Sequence, residues 1–346
     1  MTIPYRTRQF LRRLLAAVLV LALIAAGVLL CWLLWLHRYV VYTQDGAKLD
    51  FNLSLEYPQG ETAVPPEPLP TVNIQYDEDK PPELVVNTEL VRFSGYYVTL
   101  EALLADFDGI TDQLAQLSSG ETLLIDVKTV KSYSYYSTDV GMPATDFDTT
   151  KLDKLIRNLQ NQGIYLIARI PAFQEYEYIL EDQTQRVPFG LPRKGGNGSL
   201  WLDKEGPCYW MNPASDGTLT YLIQTITELR LLGFDEVVLK DFRFPNTDQI
   251  RFDEDKTQTL VDLAAKLVKT CATDTFCVSF SRAAPDLPLP EGRTRLYLEN
   301  ISAVDAAAMA QQTGFPDPSI HVVFLADTGD NRFDKFCVLR PLDMMH

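Results

Sequence analysis

Leu231-Leu-Gly-Phe-Asp-Glu-Val-Val-Leu-Lys-Asp-Phe-Arg-Phe-Pro-Asn246 condenses the logic of the whole chain. Leucines close an amphipathic run, Gly233 offers the left-handed turn that ends helices, and Glu236 to Phe242 read as a buried strand. Polar residues, Lys240, Asp241 and Arg243, then appear where the strand stops. A helix, a glycine turn, a buried strand and a polar strand end form the repeating unit of a parallel α/β fold.

The same alternation recurs on both sides. Strands are expected at 92–99, 122–129, 164–170, 236–242, 276–280, 294–300, 321–326 and 335–339. Amphipathic segments are expected at 100–117, 151–162, 219–232, 256–271 and 303–312. Eight strands with mostly helical crossovers predict a (β/α)8 TIM-like barrel over residues 90–346. An open doubly wound sheet is the alternative, but no glycine-rich loop follows the first strand to cradle a dinucleotide or phosphate.

Upstream, residues 14–36 carry no charge and are almost wholly apolar. At 23 residues the run is long enough to span a bilayer as a helix, and long for a signal peptide. Arg6, Arg8, Arg12 and Arg13 precede it and no acid occurs before Asp45, so residues 1–13 are expected in the cytoplasm and the remainder outside. Residues 37–89 read as a small hairpin around Asp45-Gly46 followed by a proline-rich stalk. The expected location is therefore the cell membrane, single-pass, with an extracytoplasmic barrel.

The chain has a net charge of −15. Setting aside the five arginines up to Arg38 leaves 26 basic against 46 acidic residues, a net of −20. Such a body repels nucleic acid. The three histidines, His37, His321 and His346, lie beside the apolar run, at a strand start and at the end of the sequence. They leave a Ser-His-Asp site or a histidine-rich metal site without material. Cysteines show no Cys-x-x-Cys spacing, so no metal or cofactor is expected; Cys271 and Cys277 are close enough in sequence to pair, though nothing requires it.

Carboxylates remain as the candidate chemistry. Alternation along the strands puts Leu124, Asp126 and Lys128 on one face, and likewise Ile167 with Arg169, Val238 with Lys240 and Phe242, Ser279 with Ser281, and Tyr297 with Glu299. Phe173 and Glu175 follow the third strand, Asp241 lies beside Lys240, and the seventh strand ends near Asp327. Asp126, Glu175, Asp241 and Glu299 thus become candidate catalytic carboxylates for glycoside hydrolysis, which needs one acid and one base or nucleophile. The plainer alternative is a charge-balanced layer in which Asp126 and Glu299 pair with Lys128, Arg169 and Lys240. The long loops at 130–150 and 171–218 carry Tyr133, Tyr135, Tyr136, Trp201 and Trp210, rings suited either to sugar faces or to packing the loops down. With Lys128, Arg169, Lys240 and Arg243, they make the candidate substrate-binding set.

Taken together, these motifs resemble a family of TIM-barrel proteins classed by inference as glycoside hydrolases. The resemblance rests on Leu124-Ile-Asp-Val-Lys128, on Gly163-Ile-Tyr-Leu-Ile-Ala-Arg-Ile170 followed by Phe173 and Glu175, on Trp210-Met-Asn-Pro213, and on Gly233 to Pro245. It covers residues 90–246 and fades beyond Pro245. It implies a barrel that acts on or binds a cell-envelope or environmental polysaccharide. Two departures stand out. The family's aspartate in Phe-Asp-Tyr-x-Arg-Phe-Pro falls on Lys240 and its tyrosine on Asp241, and a Ser-x-Asp element appears as Ser279-Phe-Ser281. Asp241 would replace the lost acid only if the strand shifted register by one residue, and Lys240 would otherwise neutralise Asp126. A catalytically degenerate barrel that binds a glycan or a protein is therefore the alternative, and a Schiff-base role for Lys240 a remote third.

Overall fold

The structure is a computed structural model that describes residues 40–43, 46–49, 89–176, 190–196, 199–204 and 208–345. The expected membrane span, the basic segment before it and the proline-rich stretch lie outside the described residues. Among the described residues no helix is long and apolar enough to cross a membrane. The chain divides into two units, Met1–Glu83 and Leu84–His346. In the first, Val40–Thr43 pairs antiparallel with Gly46–Leu49, with Thr43 opposite Gly46.

The second unit contains eight strands: β1 Ser94–Val98, β2 Thr122–Asp126, β3 Tyr165–Pro171, β4 Glu236–Lys240, β5 Cys277–Arg282, β6 Leu296–Glu299, β7 Val322–Leu325 and β8 Cys337–Pro341. They close into a barrel in sequence order, β8 pairing with β1, and every pairing is parallel. Parallel neighbours need crossovers. These are α1 Leu100–Ala105 and α2 Phe107–Leu114, α3 Thr149–Asn161, α4 Asp216–Leu232, α5 Lys256–Cys271, and α6 Ala306–Gln312 with α7 Pro318–His321. This is a (β/α)8 architecture.

Local chemistry explains the departures from expectation. The amphipathic stretch at 100–117 is two helices, because Asp106 leaves helical geometry and its carboxylate accepts from Gly109 N at 3.0 Å to cap the second. No helix links β5 to β6, where Pro285, Pro288 and Pro290 remove the donors a helix needs. A 3-10 turn, Asn331–Lys335, links β7 to β8. The strand beginning at Glu236 stops at Lys240 rather than at 242, since Asp241 takes φ 53°.

α4 shows how one helix is built and stopped. Ser215 caps it by accepting from Gly217 N, and Gly233 at φ 119° ends it. A side chain at 233 would strike Gln160 as well as strain the backbone. Alternation along the strands sorts the rest. Leu123, Ile125, Leu166, Ala168, Val237, Leu239, Val278 and Phe280 pack outward against the helices. Leu124, Ile167, Val238, Tyr297, Val323 and Leu339 fill the barrel interior.

Below that apolar plug, at the N-terminal end of the strands, lies a buried polar layer. Arg295 pairs with Glu236 at 2.5 Å, and Glu236 also accepts from Tyr165 Oη at 3.0 Å and Tyr297 Oη at 2.9 Å. Arg295 also donates to the Ile320 and Val91 carbonyls. Burial, and then the Glu236 charge, push both phenols well above the ordinary tyrosine range. His321 sits at this end too, against the Thr294 carbonyl and stacked on Phe315, so its role is structural.

Candidate active site

Inward side chains at the C-terminal ends of the strands meet above the apolar plug. Arg169 on β3 is the hub. Its Nε and Nη2 donate to the two oxygens of Asp126 on β2, at 2.5 and 3.0 Å. Its Nη1 donates to Glu299 Oε1 on β6 at 2.8 Å. Ser281 on β5 donates to the same oxygen at 2.9 Å. Burial works to lower the Arg169 pKa, but the hydrogen bonds and charges of Asp126 and Glu299 more than offset it, and the guanidinium is held protonated. The side chains of Asp126 and Glu299 stay 17% and 23% exposed, so the cluster is accessible from the mouth.

Tyr97 on β1 and Asp327 beyond β7 form a second pair in the mouth, Tyr97 Oη donating to Asp327 Oδ1 at 2.6 Å. Burial first, then this hydrogen bond, raise the Tyr97 pKa. In the sequence Asp327 stands out only as a strand end, and Tyr97 carries no motif. The one signal for Tyr97 is its parity, which it shares with the inward positions.

Of the four candidate carboxylates, the structure brings Asp126 and Glu299 together and leaves the other two aside. Glu175 is fully buried and pairs with Lys128, with Tyr221 Oη donating to it at 3.0 Å. Lys128 therefore does not join Asp126 in the mouth. The reason is local: residues 127–135 fold into a tight hairpin, with Lys128 bridged to Ser134 and Ser132 at φ 78°, which takes Lys128 out of the strand alternation. Asp241 lies past the strand end in the left-handed region, facing Arg243 at 3.5 Å. No one-residue shift carries it inward, because β4 keeps its register with β3 through Lys240 opposite Pro171. The same φ turns Phe242 outward, onto Phe173 and Phe280, not onto the Lys240 face.

Lys240 keeps the inward parity of Val238 and is half-buried. Among the described residues it makes no ion pair; the cation that neutralises Asp126 is Arg169. The aromatic set divides as well. Tyr135 and Tyr136 are buried in the loop's own packing, Tyr135 against Phe147, while Tyr133 is half-buried. Trp210 is buried, with its indole directed at Asp203 and Arg243 stacked 5.2 Å over its ring. Trp201, also largely buried, lines a cavity of about 260 Å³ with Lys204, Arg243 and Asn246. The loop after β2 is pinned by Glu228 of α4, which accepts from Thr138 Oγ1, Asp139 N and Val140 N. No local sequence pattern marks that contact.

The three positive-φ non-glycine residues of the described chain, Ser132, Asp241 and Asn300, all lie at this end of the barrel. Backbone strain of this kind gathers at functional ends. Among the described residues no group of histidine, cysteine and carboxylate side chains is disposed to hold a metal. Cys208, Cys271, Cys277 and Cys337 are free and buried, so Cys271 and Cys277 are unpaired.

Residues 97–277 match the family described as "Putative glycosyl hydrolase domain". The chain belongs to that family. No curated protein matches the sequence. Among solved structures, this chain is similar to the GH20 exo-β-N-acetylglucosaminidase from Vibrio harveyi, at 11% identity and a TM-score of 0.50, over 72% of this chain and 50% of that one. This chain therefore spans half the length of the Vibrio enzyme. Two further matches are the glycoside hydrolase domain of PelA from Pseudomonas aeruginosa (13% identity, TM-score 0.42, 74% and 98% covered) and a hypothetical protein from Ruminiclostridium thermocellum (18%, 0.43, 54% and 96%). At such identities the likeness is one of fold.

Proposed function

We propose that this glycosyl hydrolase domain acts on a polysaccharide at the C-terminal mouth of its barrel, with Asp126 and Glu299 as the working carboxylates. One observation carries the reading: acids from β2 and β6 converge on a single guanidinium while remaining partly exposed. Glycoside hydrolysis needs one carboxyl group to protonate the leaving oxygen and a second to activate water or attack the anomeric carbon. Arg169 would hold the two acids on either side of itself. Glu175 and Asp241 would serve the loops, Glu175 as a buried anchor and Asp241 as a partner of Arg243. We further propose that residues 14–36 anchor the chain in a membrane with the barrel on the extracytoplasmic side, a reading supported by the uncharged run and the arginines before it.

A second reading, binding without turnover, is favoured by two features. Both oxygens of Asp126 are occupied by Arg169, and a lysine stands at 240 where the resembling signature keeps an aspartate. Reducing-sugar release by the full chain on a polysaccharide panel separates the two. Hydrolysis predicts release that falls by roughly 100-fold or more in Asp126→Asn and Glu299→Gln, while Asp241→Asn and Glu175→Gln leave Asp126 and Glu299 in place. Retention of a polymer without release establishes the binding reading. Neither binding nor release by the folded chain overturns both.

A further inference from the structure

The charges around the end of β4 are unevenly partnered. Lys240 is an inward, half-buried ammonium for which the described residues supply no carboxylate. Asp126 and Glu299 are drawn onto Arg169, and Asp241 faces Arg243. A half-buried cation without a partner is unfavourable, and an entering anion relieves it.

Arg243 lies three residues beyond Lys240. Its guanidinium is fixed in place by stacking over Trp210, by a 3.3 Å bond from Nη1 to the Phe244 carbonyl, and by the longer contact of Nε with Asp241. Among the described residues Nη2 has no partner, and the side chain is 39% exposed. Arg243 and Lys204 line the 260 Å³ cavity together with Trp201, Asn246, Thr247 and Gln249. Asp203 also faces this cavity, its carboxylate accepting from the Trp210 indole at 3.3 Å. On this side of the mouth three cations, Lys204, Lys240 and Arg243, thus stand against two carboxylates, Asp203 and Asp241, in a chain whose net charge is −15. Across the whole mouth, with Arg169 set against Asp126, Glu299 and Asp327, four cations meet five carboxylates, so the cationic character is confined to the β4 side. The cavity walls combine cationic, amide and hydroxyl groups with an aromatic edge, as a site for one polar ring bearing a carboxylate requires.

We propose that the β4 side of the mouth recognises the carboxylate-bearing sugars of an acidic polysaccharide, with Lys240 facing one carboxylate inside the mouth and Arg243 with Lys204 facing another in the adjoining cavity. The inference rests on the glycan reading above and adds the chemical class of the sugar. It also accounts for the lysine at 240, since a position that is acidic in the resembling signature has become a receptor for an acid.

The test uses the full-length chain in neutral detergent and isothermal titration with polygalacturonate and alginate, each compared with its fully esterified, uncharged form. The expected result is binding of the acidic polymers that weakens by about tenfold or more on esterification, and by about tenfold in Lys240→Met. Lys240→Arg should retain most of the affinity, which excludes a folding defect as the cause. Arg243→Met combined with Lys204→Met should weaken binding further, and raising the salt should weaken the wild type more than Lys240→Met. Equal affinity for the charged and esterified polymers, or wild-type affinity in Lys240→Met, overturns the acidic-sugar inference and leaves the glycan reading standing. A folded chain that binds no polymer, charged or uncharged, overturns both.

Discussion

The two ends of the barrel hold similar chemistry put to different ends. At the N-terminal end Glu236 and Arg295 are 0% and 2% exposed, and the carboxylate and guanidinium are surrounded by tyrosine hydroxyls and backbone carbonyls. At the C-terminal end Asp126, Arg169 and Glu299 form a comparable pairing that opens to the mouth, with Lys240 inward on β4 making no ion pair among the described residues, and strained residues at the strand ends. A buried charge network that leaves nothing unmet reads as architecture; an accessible one with a spare charge reads as a site. The contrast agrees with the polarity of the fold, in which the C-terminal face carries chemistry and the opposite face stability.

Substitutions at the two ends test whether the contrast holds. Arg295→Met strands Glu236 without its cation in a sealed layer, and should lower stability by about 3–5 kcal/mol in urea denaturation. A loss below about 1 kcal/mol would mean that the lower layer is not sealed. Arg169→Met leaves its two acids partly hydrated, so the expected loss is smaller, about 1–3 kcal/mol. A larger loss than for Arg295→Met would reverse the comparison.

Thiols probe the ends without mutation. Burial, then the charges of Asp203 and Glu175, push the Cys208 thiol in the upper loops up to about 11, while Cys277 in the lower layer is raised further, again by burial first and then by Glu236. Unfolded thiols ionise near pH 8.5. Each raised thiol therefore contributes stability that is complete below about pH 8.5 and declines as pH rises towards the folded value. Iodoacetamide should leave both unmodified at pH 8 in the folded chain, and a pH series should modify Cys208 before Cys277. Modification of Cys277 first would show that the lower layer opens more readily than the loops. The smallest effect on stability is expected for Asp241→Asn, under about 1 kcal/mol, because that side chain is exposed and its contact with Arg243 is long. Asp126→Asn and Glu299→Gln, made singly, should cause the largest loss of function, each leaving the buried Arg169 one counter-charge.

The sequence makes the barrel legible because strand and helix periodicities are written into it. Each of the eight expected strands has its counterpart, and alternation places Asp126, Arg169, Lys240 and Glu299 on the inward face. What it does not display is partnership. Lys128 and Asp126 share a strand parity, yet the hairpin at 127–135 sends Lys128 to Glu175, 47 residues away in the chain. Glu236 and Arg295 meet across the barrel from strand starts 59 residues apart, and nothing in the sequence distinguishes either from an ordinary edge charge. Parity misplaces Phe242 because a single left-handed residue, Asp241, resets the alternation. Parity fails where the backbone leaves the strand, and at a barrel mouth that is also where function gathers.

Hydrogen–deuterium exchange of the full-length chain, with and without a polysaccharide that it retains, tests most directly whether polysaccharide binds at the partly open C-terminal end and not at the sealed one. The expected result is slowed exchange in the backbone just beyond β2, β4 and β6, around Val127–Ser134, Asp241–Asn246 and Asn300–Ser302, with no change near Val91, Glu236 or Arg295. Protection confined to the N-terminal end of the strands, with the mouth unchanged, would contradict that assignment.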